Sequence, residues 1–174
     1  MTDEILKAWH GATDRHDRHL AAAIASNANA AERLLQAINN HSCWKYSTVE
    51  LRNRFEHFLA ESEEIIPSVP GCVSEDSIRQ FGVLVVRSQE SAENLLQNQT
   101  PETSYLARQA RQRGALAASA FGAGFGGSVW ALVRRSDAAE FITRWRNDYE
   151  NRFVNAARRS EFFLTPAGPP VITL

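Results

Sequence analysis

The chain has 174 residues, with 19 Lys or Arg against 20 Asp or Glu, so its formal net charge is -1 when the histidines are neutral. This balance of charge excludes the class of proteins that bind nucleic acid through a large net positive charge. The composition, 44% apolar and 22% charged, is that of a soluble globular chain, and no apolar run approaches the roughly 20 residues that cross a bilayer. We therefore expect no nucleic-acid or membrane partner. The length predicts one core-forming domain, either alone or with a helical extension.

The cysteines and the first residues bear on the compartment. Cys43 and Cys72 form neither a C-x-x-C pair nor a metal-ligand spacing with histidine. The start Met1-Thr2-Asp3-Glu4 lacks the basic-then-apolar pattern of a signal peptide. These features predict a reduced, cytoplasmic protein.

The first half of the chain is predicted to be helical. Residues 14–40 repeat apolar side chains at helical spacing and are rich in alanine, which predicts one long helix. Ser47 or Thr48 can cap a second helix, which Pro67 and the Pro70-Gly71 pair end.

Two more helices and a hairpin are predicted next. Ser74, with Ser77 close by, is predicted to open a third helix. Thr100-Pro101-Glu102 is predicted to start a fourth, with a capping residue, a proline and an acid where the helix dipole favours each. Residues 115–121 and 129–133 are short apolar runs on either side of a glycine-rich stretch. They predict an antiparallel hairpin with an unusual turn.

The end of the chain is predicted to continue an α+β fold. Ser136-Asp137 caps a further amphipathic helix. The runs 161–164 and 171–174 are predicted to be two last strands around the Pro- and Gly-rich segment 166–170. The pattern is therefore one of helices followed by an α+β tail.

The densest candidate for chemistry is the run Gly122-Ala123-Gly124-Phe125-Gly126-Gly127-Ser128. Glycines allow positive φ and let backbone N–H groups approach an anion closely. The run is no Walker A motif, since no Gly-Lys-Ser/Thr follows, and a strand rather than a helix comes next, unlike a Rossmann fingerprint. Spacing alone leaves two interpretations open: an anion-binding loop or a tight hairpin with a bulge.

At this point the sequence resembles a known family. The run 119–128 followed by an apolar strand resembles the third, C-terminal motif of the GHMP kinases, especially galactokinases. Upstream, residues 54–61 resemble the galactokinase R-x-x-H-x-x-x-E helix. Residues 81–84 together with Ser88 and Ser91 resemble the family's F-G-x-L-M-x-x-S-H-x-S-L segment.

The resemblance implies a domain organisation. It predicts an N-terminal helical extension over 1–48 and a GHMP kinase C-terminal-like domain over 49–174. The implied fold class is α+β, with a ferredoxin-like antiparallel sheet packed with helices. Gly122 to Ser128 would then lie near the phosphates of a nucleotide, with ATP and Mg²⁺ as the cofactors of the complete enzyme.

The resemblance also implies a role in phosphoryl transfer from ATP to a sugar hydroxyl. The family's Gly-Leu-Ser-Ser-Ser-type phosphate loop, its sugar-recognition motif and the region of its catalytic Asp have no counterpart in this sequence. We therefore expect no catalytic residue and no metal ligand in this chain and no activity in isolation. The expected partner is an N-terminal kinase half or a second copy of the chain. The alternative is a noncatalytic small-molecule-binding or dimerisation module on the same fold.

Three other clusters have simpler interpretations. His16 and His19 are spaced i, i+3 but have no clear third ligand, which favours a solvated helix face over a metal site. His57 and Glu61 are spaced i, i+4, which favours a structural hydrogen bond or a half-exposed pair over proton transfer. The arginines between 144 and 159 are interleaved with acids, which indicates a solvated helix.

Overall fold

The first half of the chain is helical. The computed structural model describes residues 1–166 and residue 168, and it divides the chain into two units, 1–99 and 100–174. The α-helices of the first unit are α1 (Thr2–Ala12), α2 (Leu20–Ile24), α3 (Ala30–Asn40), α4 (Thr48–Leu59), α5 (Ile66–Ser68) and α6 (Ile78–Ser91). Wider π-helical turns follow α4 at Ala60–Ile65 and α6 at Ala92–Leu96, and a 3₁₀ turn spans Val69–Cys72.

The prediction of one long helix over 14–40 is wrong, and α1 was not predicted. Asn27 interrupts the helical period, because its Oδ1 accepts the backbone N–H of Asn29 at 3.0 Å and so replaces a helical hydrogen bond. At the other end, His19 Nδ1 accepts the N–H of Ala22 at 3.1 Å and caps α2. The residues before His19 therefore lie outside the helix.

The predicted start of the second helix is confirmed at Ser47. Its Oγ accepts the N–H of Glu50 at 3.2 Å, and the Glu50 carboxylate accepts the N–H of Ser47 at 2.7 Å. This reciprocal capping box satisfies two backbone donors at the start of α4. The backbone N–H of Ser47 and its hydroxyl both donate to the Glu50 carboxylate and lower the pKa of Glu50.

The core of the first unit joins α1, α2, α3 and α4. Trp9 and Phe55 are the largest side chains that are fully buried in it, and burial of each such side chain stabilises the fold by about 1.5–3 kcal/mol. The other members of this cluster are Ile5, Leu20, Ala23, Ala30, Leu34, Ile38 and Leu51. The cluster draws on residues from both sides of position 48/49, and the domain boundary placed there stays a prediction.

The second unit contains the predicted hairpin. Its elements are α7 (Pro101–Gln112), β1 (Ala117–Phe121), β2 (Ser128–Leu132), α8 (Ala138–Arg152) and α9 (Val154–Ala157). The two strands pair antiparallel, from Ala117 opposite Leu132 to Phe121 opposite Ser128. Ala118, Ala110, Phe141 and Trp145 form the buried cluster between the hairpin and the helices α7 and α8. The α+β class is confirmed, with a two-stranded sheet in the part of the chain that the structure describes.

The prediction of a strand over 161–164 is wrong. Phe162 is held by α8 instead: its ring stands edge-on to the Trp145 ring at 5.3 Å, and its carbonyl accepts a hydrogen bond from Arg146 Nη2 at 2.9 Å. Residues 161–164 accordingly form no strand with any other described residue. The strand predicted over 171–174 lies outside the described residues.

The helices of the described residues are also too short or too polar to span a membrane.

Candidate functional site

The glycine-rich run forms the turn of the β1–β2 hairpin. Phe121, the last residue of β1, pairs with Ser128, the first residue of β2, so that residues 122–127 close the loop. Gly126 has φ of +112°, which side-chain-bearing residues rarely adopt. Positive φ also occurs at Gly122, Gly124 and Gly127. The loop therefore adopts a backbone conformation that depends on its glycines.

Phe125 is the exception within the loop. It has φ of +61° although it carries a side chain, a conformation that costs an L-residue roughly 1–2 kcal/mol. Its ring is 78% exposed, and Phe121 at the base of the loop is 71% exposed. The loop therefore presents two large apolar side chains to solvent, one of them from a strained backbone.

The loop lies beside the start of α7. A Cβ atom added to Gly126 would be 4.0 Å from Cγ2 of Thr100, the residue that caps α7. Thr100 donates its N–H to Thr103 Oγ1 at 3.1 Å, and Pro101 occupies the first helical position. Because the helix dipole is positive at this end, the start of α7 favours negative charge near the loop.

The loop fits the phosphate part of the cofactor that the resemblance implies. Among the described residues, the backbone groups of Gly124, Phe125 and Gly126 make no backbone hydrogen bond, which leaves their N–H groups able to meet an anion. The metal would need side-chain ligands of its own. The described residues contain no group of three or more His, Cys, Asp or Glu that could hold a metal ion.

The structure does not bring His16 and His19 together as metal ligands within the described residues. His19 uses Nδ1 to cap α2, and the ring of His16 lies 5.7 Å from that of His10. Neither histidine belongs to a metal-binding group within the described part of the chain. Both histidines are exposed, but the prediction that they lie on a helix face is wrong, because they fall between α1 and α2.

His57 has a partner that sequence reasoning missed. Its Nδ1 lies 2.9 Å from Ser91 Oγ, whereas Glu61 acts on it only through its charge. Burial lowers the pKa of His57, Glu61 raises it, and Arg54 lowers it, so that the net shift is downward. The i, i+4 spacing indicated Glu61, but no signal within one helix could identify a serine on another.

The arginines of α8 take local partners. Arg144 pairs with Glu140 one turn earlier, and Arg146 lies 5.7 Å from the centre of the Phe162 ring. Arg152 stands over the ring of Phe153 in the same way. These contacts agree with the prediction of a solvated helix.

A comparison with protein families identifies the segment that carries the loop. Residues 72–151 match the family described as GHMP kinases C terminal. The match covers less than half of the 174-residue chain. The match includes α7, the hairpin with its glycine-rich loop and nearly all of α8. The resemblance inferred from the motifs is therefore confirmed.

Two curated relatives are named galactokinase. A galactokinase of Dictyostelium discoideum is 32% identical over 96 residues, which cover 51% of this chain and 19% of that protein. A galactokinase of Thermosipho africanus (strain TCF52B) is 27% identical over 104 residues, which cover 59% of this chain and 29% of that protein. The aligned regions are thus less than a third of either galactokinase.

Proposed function

We propose that this chain is the C-terminal part of an ATP-dependent, galactokinase-like sugar kinase, in which the loop from Gly122 to Ser128 lies beside the phosphates of the nucleotide. The observation that supports this most is the loop itself: a run of positive φ angles next to the start of α7, inside the segment that matches the GHMP kinase C-terminal family. The two relatives named galactokinase support a sugar as the acceptor.

The chemistry asked of this chain is positioning and charge stabilisation. Phosphoryl transfer to a sugar hydroxyl develops negative charge on phosphate oxygens, and fixed backbone donors stabilise such charge without reorganising. The N–H groups of Gly124, Phe125 and Gly126 are the donors in this proposal. Phe121 and Phe125 exclude water from the phosphates once the cleft is closed. Bound Mg²⁺ would supply further neutralisation of the phosphates, with its ligands coming from phosphate, water and the other half of the enzyme.

The complete site requires a second polypeptide segment. The chain spans 19% and 29% of the two relatives, and the phosphate loop and sugar-binding motif of the family have no counterpart in its sequence. The proposed partner is an N-terminal kinase half, or a second copy of the chain. Sugar and ATP are bound only by the completed enzyme, whose location in the cytoplasm stays a prediction.

The exposed phenylalanines indicate where the partner docks. Phe121 at the base of the loop and Phe125 within it are both exposed to solvent, and exposed aromatic side chains are typical anchors of interfaces. We propose that the other half covers them. Phe125→Ser, which removes the ring, should then weaken that association.

The test is a chimera with the Thermosipho africanus relative. The region of that galactokinase that aligns with this chain is replaced by the aligned 104 residues. ADP release is measured by a coupled assay over a panel of sugars. We expect turnover with at least one sugar from the chimera, and none above background from the isolated chain.

Two results would contradict the proposal. Robust turnover by the pure chain would show that no other half is needed. A chimera that melts cooperatively but releases no ADP with any sugar would favour the alternative of a noncatalytic binding or dimerisation module.

A further inference from the structure

The helices of the first unit meet at a polar cluster that the proposed function does not use. His57 lies near the end of α4, and Ser91 is the last residue of α6. Ser91 Oγ and His57 Nδ1 are 2.9 Å apart, within the range of a strong hydrogen bond. Both side chains are half-buried, so reagents in solvent can reach the pair.

A carboxylate acts on the histidine through its charge. Glu61 follows His57 by one turn, and its Oε1 is buried without a hydrogen-bond partner among the described residues. The charge of Glu61 raises the pKa of His57, and it would stabilise the imidazolium form if the ring took up a proton. A serine hydroxyl becomes a nucleophile when a histidine accepts its proton and a nearby carboxylate stabilises the protonated histidine.

The backbone around this cluster is unusual on both helices. A π-helical turn begins at Ala60, three residues after His57, and another begins at Ala92, directly after Ser91. Such turns occur mostly as single-turn insertions and are frequent at functional sites. Here the first turn contains Glu61, and the second begins where α6 ends at the serine.

We propose that Ser91 is a reactive serine, a modification site that takes an acyl group from a small activated ester with His57 as the base. In this step the Ser91 Oγ attacks the ester carbonyl carbon, and its proton moves to His57 Nδ1. The new Oγ–C bond forms as the bond between carbon and the leaving alkoxide or aryloxide breaks. The proton on His57 then passes to the leaving group or to water.

The proposal requires one tautomer of the imidazole. His57 Nδ1 must accept the Ser91 hydroxyl proton, which leaves the ring proton on Nε2. The pKa of His57 is lowered, chiefly by burial, so the neutral ring that a base requires prevails at neutral pH. Glu61 and Arg54 act on the ring by charge, and on the facing π-helical turn the Glu93 carboxylate accepts from Gln89 Nε2 at 2.8 Å.

The experiment uses 4-nitrophenyl acetate and the full chain. Nitrophenolate release is followed spectrophotometrically, and the acetylated residue is located by peptide mass spectrometry. We expect one acetyl group on Ser91, and His57→Gln should slow its formation by about 10²-fold, the usual contribution of a general base. Ser91→Ala should abolish the nitrophenolate release that accompanies acetylation of this residue. Ser88→Ala is the matched control, since Ser88 lies one turn earlier on α6 and is also half-buried.

The pH profile separates a reactive serine from a structural hydrogen bond. The acetylation rate should rise with pH as His57 loses its proton, with a midpoint below the ordinary histidine value of about 6.5. Glu61→Gln removes the charge that raises the pKa of His57 and should move the midpoint to lower pH. This shift of the midpoint tests the role of His57 as the base even if the His57→Gln variant fails to fold.

The proposal would be overturned if Ser91 were acetylated no faster than Ser88. It would also be overturned if Glu61→Gln left the acetylation rate unchanged at every pH. Acetyl groups found only on Lys7 and Lys45 would do the same.

Discussion

The methyl group of Thr100 lies 4.0 Å from the position that a Cβ atom on Gly126 would occupy. The first residue caps α7, and the second has a φ of +112° in the glycine-rich loop. The contact distance is ordinary, so space does not forbid a side chain at Gly126. The backbone conformation does, because a Cβ atom is strained at this φ.

Gly126→Ala should therefore destabilise the second unit through the backbone alone. We expect a loss of at least about 1 kcal/mol, which lowers the melting temperature of a unit of this size by about 4–8 °C. Differential scanning calorimetry or circular dichroism measures it.

The matched control for this change is Gly11→Ala. Gly11 lies in α1 without a positive φ, and an added Cβ meets nothing within 4 Å. Alanine is favoured over glycine in a helix, so this variant should melt no lower than the parent chain. Equal effects of the two substitutions would refute the argument from strain.

Asp17 should make the stability of the first unit depend on acid pH. Arg15 donates two hydrogen bonds to its carboxylate, and Trp9 Nε1 donates a third at 2.8 Å. These donors, Arg15 first, lower the pKa of Asp17 from 3.8 to about 2. A lowered pKa gives stability that is fully present above the unfolded value near 3.8 and is lost as pH falls through about 2.

The measurement compares the melting temperatures of the parent chain and of Asp17→Asn against pH. The difference should be constant above pH 5 and should shrink as the pH falls from about 4 to 2. Asp14→Asn, at an exposed neighbour, is the control and should show no such trend. A difference between parent and Asp17→Asn that is the same at pH 2 and pH 7 would count against the assignment.

Phe162 should stabilise the second unit although it lies outside any strand. Its ring contacts those of Trp145 and Tyr149, at 5.3 and 5.8 Å between centres. Phe162→Ala should cost about 1–3 kcal/mol in the free energy of unfolding, less than the loss of a fully buried phenylalanine. Phe163, 72% exposed, provides the control, and Phe163→Ala should change stability by less than about 0.5 kcal/mol. Equal losses would show that 161–164 packs by its other face.

The sequence predicted those elements whose signals are local. Ser47 with Glu50 and Thr100 with Pro101 are caps that act within four residues, and both helices begin where predicted. The glycine-rich turn was predicted on the same grounds, since glycine density marks a positive-φ backbone in any context. The strand prediction for residues 161–164 was wrong because a short apolar run is equally suited to a strand or to packing on a helix. Here α8 provides aromatic partners for it.

The long-range contacts of the candidate sites could not be predicted. Thr100 lies 26 positions before Gly126, and Ser91 lies 34 positions after His57. No periodicity links such pairs, because the folded chain brings them together through the packing of separate elements. The break at Asn27 was missed for a different reason: alanine-rich flanks masked a side chain that competes for backbone hydrogen bonds.

The central claim is that the loop from Gly122 to Ser128 acts on the phosphates of ATP. It is tested most directly by the ATP dependence of kinase turnover in the galactokinase chimera, with and without Gly126→Ala, at a temperature where both are folded. The account predicts that the substitution lowers kcat/KM for ATP about tenfold or more, because displaced backbone donors misalign the phosphates, while KM for the sugar stays within about twofold. An unchanged kcat/KM for ATP, with the variant folded and the loop displaced, would contradict it.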